Sequence, residues 1–263
     1  MPTTTLKGQS DIQLGEETLD INDMTEVSGD RFLLTAHTNN KLVLLDSKTD
    51  TVLSEIALQD SPKHTCMVGP QLAATTLLNK KIQFIHVKDN RVSNGSILDV
   101  NVDAHGIAAH MTNLALTYDP PGVQIISKEG TVIHNLNNTT AAREVFKNPK
   151  WITTTSDNSI YVTDPETHTI TRLDSSLTIL QTFSGSMLKS PCGIISLNRN
   201  QILVCSNTKN TIVLIQPSSN SMRVILQKKH GIKNPITLCF CKTTGKLYIV
   251  PTLTTSVLVY KLT

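Results

Sequence analysis

Lysine and histidine, rather than paired carboxylates, are the residues here whose placement could do chemistry. Lys63, His64, His105, Arg143, Lys147, Lys150, Lys189, Lys209, Lys228, Lys229, His230 and Lys233 all fall in segments between hydrophobic stretches. Ammonium and guanidinium groups on such segments can position an anionic partner, and phosphate neutralisation would make its binding salt-sensitive. The charge is also unevenly spread. Asp174 is the last acidic residue: residues 175–263 hold ten Lys and Arg and no Asp or Glu, against fourteen and twenty-one in residues 1–174. The two parts carry +10 and −7, which sum to the net +3. A field of this asymmetry steers anions. The plainer outcome is a solvated basic surface that faces an acidic first part of the chain.

Recognition of single-stranded RNA also draws on exposed aromatics for base stacking. The chain has only ten: one Trp, four Tyr and five Phe. Tyr161, Phe84, Tyr248 and Tyr260 fall on apparent strands. Phe146 does not. With Arg143, Lys147, Lys150 and Trp151 around it, it marks a candidate binding loop, or else a hydrophobic plug that anchors that loop.

Metal chemistry is weakly represented. His64 and His105 stand at equivalent places in two repeats, described below, but a ligand set normally needs three or four groups, and Lys150 and Cys192 hold the matching places elsewhere. No cofactor is implied. Cys66, Cys192, Cys205, Cys239 and Cys241 are odd in number and follow neither a zinc nor a disulfide spacing, so buried free thiols are expected. Asn94-Gly-Ser and Asn138-Thr-Thr match the glycosylation acceptor pattern, which matters only on a secretory route. The N-terminal segment lacks an apolar core of signal-peptide length, and no run of 18 apolar residues occurs. The expectation is a cytoplasmic protein that does not enter the membrane.

The elements that must position these residues are repeats. Phe32-Leu-Leu-Thr-Ala, Leu72-Ala-Ala-Thr-Thr, Leu114-Ala-Leu-Thr-Tyr, Ile160-Tyr-Val-Thr-Asp, Ile202-Leu-Val-Cys-Ser and Leu247-Tyr-Ile-Val-Pro begin 40, 42, 46, 42 and 45 residues apart. A second family starts at Leu42, Ile82, Val123, Ile170, Ile212 and Val257, ten residues later in five units and nine in the other. Each unit adds a preceding strand with small residues, such as Gly106-Ile-Ala-Ala or Gly193-Ile-Ile-Ser, and a following one such as Thr51-Val-Leu-Ser-Glu-Ile. Four strands with a period of about 42 residues predict an all-β, six-bladed β-propeller of four-stranded antiparallel blades. The blades are expected near 19–60, 61–103, 104–146, 147–188, 189–232 and 233–263. The last is one strand short, and Asp11-Ile-Gln-Leu14, within residues 1–18, is the candidate to complete it and close the ring.

Pro149-Lys-Trp-Ile, Ser159-Ile-Tyr-Val-Thr-Asp and Thr169-Ile-Thr-Arg-Leu-Asp resemble an NHL repeat. So do Ser190-Pro-Cys-Gly-Ile, Gln201-Ile-Leu-Val-Cys-Ser and Asn210-Thr-Ile-Val-Leu-Ile; the other four blades match in hydrophobic pattern and spacing. Six such blades resemble the C-terminal propeller of tripartite-motif proteins. That resemblance implies a non-catalytic platform for a protein partner, with RNA as the alternative, and a role in substrate recognition. The zinc-binding RING and B-box patterns of those proteins do not occur in this sequence. A second resemblance, in blade number, is to the metal-dependent lactonases and hydrolases of the gluconolactonase-like class. It implies Glu, Asn and Asp converging on the axis. Glu26 is near the first inner strand, with no equivalent at the other five entries.

Overall fold

The computed structural model describes residues 6–14, 18–28, 30–49, 51–137 and 144–262. Twenty-four strands form six antiparallel sheets of four. From the axis outward, blade one comprises β2 (Ile21–Ser28), β3 (Arg31–Ala36), β4 (Lys41–Asp46) and β5 (Thr51–Ala57). Blade two has β6 (Pro62–Gly69), β7 (Leu72–Leu77), β8 (Lys81–Lys88) and β9 (Arg91–Asp99). Blade three has β10 (Asp103–His110), β11 (Asn113–Asp119), β12 (Gly122–Ile126) and β13 (Val132–Asn137). Blade four, with the shortest inner strand, has β14 (Ile152–Thr154), β15 (Ile160–Asp164), β16 (Thr169–Leu173) and β17 (Ile179–Phe183). Blade five has β18 (Pro191–Asn198), β19 (Gln201–Ser206), β20 (Thr211–Gln216) and β21 (Ser221–Leu226). Blade six takes β22 (Pro235–Cys241), β23 (Lys246–Pro251) and β24 (Ser256–Leu262) from the C-terminal end and β1 (Leu6–Gln13) from the N-terminal end.

The ring therefore closes as the short last repeat requires. Ile12 pairs with Val257 and Asp11 with Leu258, and pairing runs back to Leu6, further than the alternating segment at residues 11–14 predicts. Closure leaves β24 no open edge in blade six.

The core is a ring of six apolar clusters, one at each junction between neighbouring blades. Leu33 packs with Ala73 and Ile85 of blade two, whereas its neighbour Leu34 packs with Tyr248 and Val250 of blade six. Leu203 and Val204 divide likewise between blades six and four. Successive side chains of a strand point to opposite sheet faces, and in a propeller both faces are covered. Second and third strands are thus apolar at nearly every position, and this made them legible as repeats. Outer strands such as β13 are largely exposed.

Inner strands crowd the axis. A Cβ on Gly106 would lie 2.3 Å from the Lys150 carbonyl oxygen, and one on Gly193 would lie 2.6 Å from Thr237 Cα. Only glycine permits these approaches. Threonines of the second strand reach to the next blade: Thr35 Oγ1 donates to Thr65 Oγ1, Thr76 Oγ1 to the His105 carbonyl and Thr117 Oγ1 to the Lys150 carbonyl, at 2.8, 2.6 and 2.7 Å. The recurrent Thr of the second-strand motif in blades one and three, and in blade two the residue after it, thus clasp blades one to four together.

Candidate functional site

Inner strands begin, and the turns from second to third strand lie, on one face of the ring. The basic candidates gather there, but the fold divides them into a group at the axis and a group on the rim.

The axial group is built by the entries of β2, β6, β10 and β14. Lys63 is buried, 6% exposed, and its ammonium bonds Asp103 Oδ1 at 2.5 Å. The expectation of a loop cation open to a partner is corrected for this residue, because Asp103, one blade on, draws it inward. His64 is buried too, with Nδ1 3.7 Å from Asp23 Oδ2. That carboxylate accepts from the Thr65 N–H at 3.0 Å and from the Thr237 hydroxyl at 3.1 Å. Lys150 is half-buried, with Nζ 3.3 and 3.4 Å from the two ring nitrogens of His105. Burial, then the Lys150 and Lys63 ammonium groups, push His105 down to about 3, so its ring is neutral at pH 7. Burial and the Lys63 charge also lower Lys150, partly offset by Asp119, Asp103 and Asp164.

Trp151 lies across the mouth of the axis. Its Nε1 donates to the Asn22 carbonyl of blade one, on the opposite side of the ring, at 3.4 Å, and it meets the His64 ring edge-on with centroids 5.1 Å apart. Phe146, proposed above as a contact or a plug, is 1% exposed and packs with Val123, Ile125 and Ile160 between blades three and four. It is the plug, because the apolar junction outcompetes solvent for a large ring. Lys147 keeps an exposed side chain, while its N–H and that of Asn148 bond Asp164 Oδ2 at 2.7 and 2.8 Å. Arg143 and Asn138 lie outside the described residues.

The rim group sits on blades five and six. Lys209, Lys228, Lys229 and Lys233 are exposed and Lys189 is half-exposed. A cleft of about 330 Å³ is lined by Asn210, Lys228, Gly231, Ile232, Lys233 and Asn234. The carrying loop is pinned. Gln227 and His230 form a reciprocal cap around a 3-10 turn, Tyr260 Oη donates to the His230 carbonyl at 2.6 Å, and Ile232 is buried in the core. Chain reversal after the turn uses Gly231 at φ 88°.

Beside this loop is a residue that sequence reasoning missed. Leu253 is 64% exposed and has φ 47°, while the N–H of its neighbour Thr252 donates to the Asn234 carbonyl at 2.9 Å. In blades one, four and five the equivalent turn places its left-handed residue last, at Asn40, His168 and Asn210. In blade six the turn is held by Leu19 pairing with Thr254, and the second residue, Leu253, is left-handed instead. A large apolar side chain in that conformation is unusual. A leucine in a turn otherwise built of Thr and Ser was the available signal.

Among the described residues, no three His, Cys, Asp or Glu side chains converge to hold a metal, and no helix is long and apolar enough to cross a membrane. Glu26 pairs with Phe32 towards the far end of β2, away from the Lys63 and Lys150 entries. Cysteines are unpaired, and burial raises Cys192 to about 12.

No protein-family model matches the chain, and no curated protein matches it in sequence. Solved structures do match in shape. A catalytically inactive variant of virginiamycin B lyase from Staphylococcus aureus with quinupristin is 14% identical over 98% of this chain and 100% of its own, with a TM-score of 0.69. The β-propeller domain of Cps50 (Swd1) from Myceliophteria thermophila is 11% identical over 92% and 83%, with a TM-score of 0.66. A protein of unknown function from Bacteroides thetaiotaomicron is 10% identical over 98% and 73%, with a TM-score of 0.76. At such identities the likeness reaches the propeller fold and not the activity.

Proposed function

We propose that this propeller is a non-catalytic interaction module that docks an acidic protein segment on the rim of blades five and six. The observation that carries this reading is the group Lys209, Lys228, Lys229 and Lys233 beside exposed Leu253, on loops fixed by backbone and core contacts. None of these four lysines has an ion-pair partner among the described residues. An apolar anchor ringed by charges that steer and orient a partner is the usual anatomy of a docking patch. A pinned loop lowers the ordering cost of binding.

Aromatic placement favours protein over RNA. Every Tyr and four of the five Phe are buried, while Phe240 and Trp151 are half-buried near the axis. No aromatic face is left on the rim for a base to stack on, so an RNA would find phosphate contacts alone. The likeness of blades four and five to NHL repeats supports a platform role in a tripartite-motif-type system.

The test is fluorescence anisotropy with a labelled peptide rich in Asp and Glu around a central Leu, beside a labelled single-stranded RNA of equal charge. The peptide is expected to bind more tightly than the RNA. Lys228→Glu with Lys229→Glu should weaken it by about tenfold and flatten its salt dependence. Peptide binding untouched by that double change, or tighter RNA binding, would overturn the reading.

A further inference from the structure

The axial group is unfinished in a way the rim does not explain. Lys63 has its carboxylate in Asp103, and Asp23 is engaged by the Thr65 N–H, the Thr237 hydroxyl and His64. Asp164 accepts from four backbone N–H groups, those of Lys147, Asn148, Glu166 and Thr167. Lys150 is the exception. Its half-buried ammonium has no carboxylate in ion-pair contact among the described residues and rests on an imidazole that is neutral. Asp119, Asp103 and Asp164 act on this cation only from beyond contact and offset its burial in part, and an oxyanion in contact would offset the rest.

The backbone under Lys150 is fixed to hold it there. Its carbonyl accepts the Thr117 hydroxyl and abuts Gly106, while its N–H donates to the Thr163 carbonyl at 3.0 Å. Trp151, the next residue, spans the axis and walls the site on one side. With Trp151 crossing the mouth and Lys150 the ammonium there without a contacting carboxylate among the described residues, the arrangement suits a small anion of single charge.

We infer that the mouth of the axis binds a small monoanionic carboxylate, with Lys150 as the charge partner and His105 and Trp151 as the walls. Lys63 adds long-range attraction without making the contact. The site is separate from the rim, so it stands or falls independently of the docking reading.

Trp151 is the chain's one tryptophan, so its emission reports on the site alone. Sodium acetate is titrated against sodium chloride at matched ionic strength, with inorganic phosphate as a second arm. Acetate is expected to give a saturable change in emission that chloride does not. Lys150→Met should weaken that response by about tenfold, the worth of one charge-assisted hydrogen bond, while Lys150→Arg and the rim change Lys228→Glu retain it. Near-UV circular dichroism identifies a Lys150→Met protein that has misfolded, and Lys150→Arg then decides. An identical response to chloride, saturation by phosphate alone, or loss of the response in Lys150→Arg with the fold intact would each overturn the inference.

Discussion

The axis and the rim hold the same kinds of residue and use them in opposite ways. At the axis, Lys63 and His64 are buried, Lys150 is half-buried, and each is held by a neighbouring blade through Asp103, Asp23 or His105. On the rim, Lys209, Lys228, Lys229 and Lys233 stand in solvent, and only their backbone is constrained. Inter-blade packing decides the difference. Six inner strands converge on the axis, so any long side chain at their entries meets another blade, whereas loops at the circumference diverge. Positive charge at the axis is therefore bound up with stability, and on the rim it is available for recognition.

The largest effect expected from this contrast is at Phe146, which anchors the segment carrying Lys150 and Trp151. Phe146→Ala should cost about 3–5 kcal/mol in urea unfolding, as for other buried aromatics. A loss under about 1 kcal/mol would place Phe146 with the surface residues. Gly106→Ala comes next. Its new methyl group would collide with the Lys150 carbonyl oxygen, so a destabilisation of about 1–3 kcal/mol is expected, with a shift in Trp151 emission. An unchanged melting temperature would show that the inner strands have slack at this junction.

His105 sharpens the comparison through pH. Its ordinary value is 6.5 and its folded value about 3, chiefly through burial and then the Lys150 and Lys63 charges. The folded state thus binds fewer protons than the unfolded one below neutrality. The contribution of a neutral His105 is complete above pH 6.5 and is lost progressively as pH falls from there towards 3. Urea unfolding at a series of pH values should show a shallower acid decline in His105→Gln than in the parent protein. Parallel curves would mean that the imidazole is solvated. The smallest effect belongs to the rim, where Lys228→Glu with Lys229→Glu should alter stability by no more than about 0.5 kcal/mol while flattening the salt dependence of peptide binding. A larger loss of stability would erase the distinction between the two regions.

Blade number, the four-strand unit and ring closure by the N-terminal segment were all legible in the sequence, because second and third strands covered on both faces give continuous apolar runs at a fixed offset. The candidate site was legible only as a set. Phe146 illustrates why: a phenylalanine among basic residues reads equally as a contact or a plug, and the choice was made by an apolar junction formed from Val123, Ile125 and Ile160, remote in sequence. Leu253 was overlooked because turn composition does not report φ, and its conformation follows from Leu19 pairing with Thr254 across the closure of the ring.

Local periodicity and composition by themselves determined the propeller and the charge asymmetry, with all ten basic residues beyond Asp174 unaccompanied by acid. Only the tertiary structure decided which lysines face a partner. Lys63 and Lys228 are chemically identical, and both read in the sequence as lying between hydrophobic stretches; one stands at the start of β6 and was claimed by Asp103 forty residues away, and the other was not. Whether a counter-charge lies within hydrogen-bonding reach depends on how blades meet in space, and spacing along a chain does not encode it.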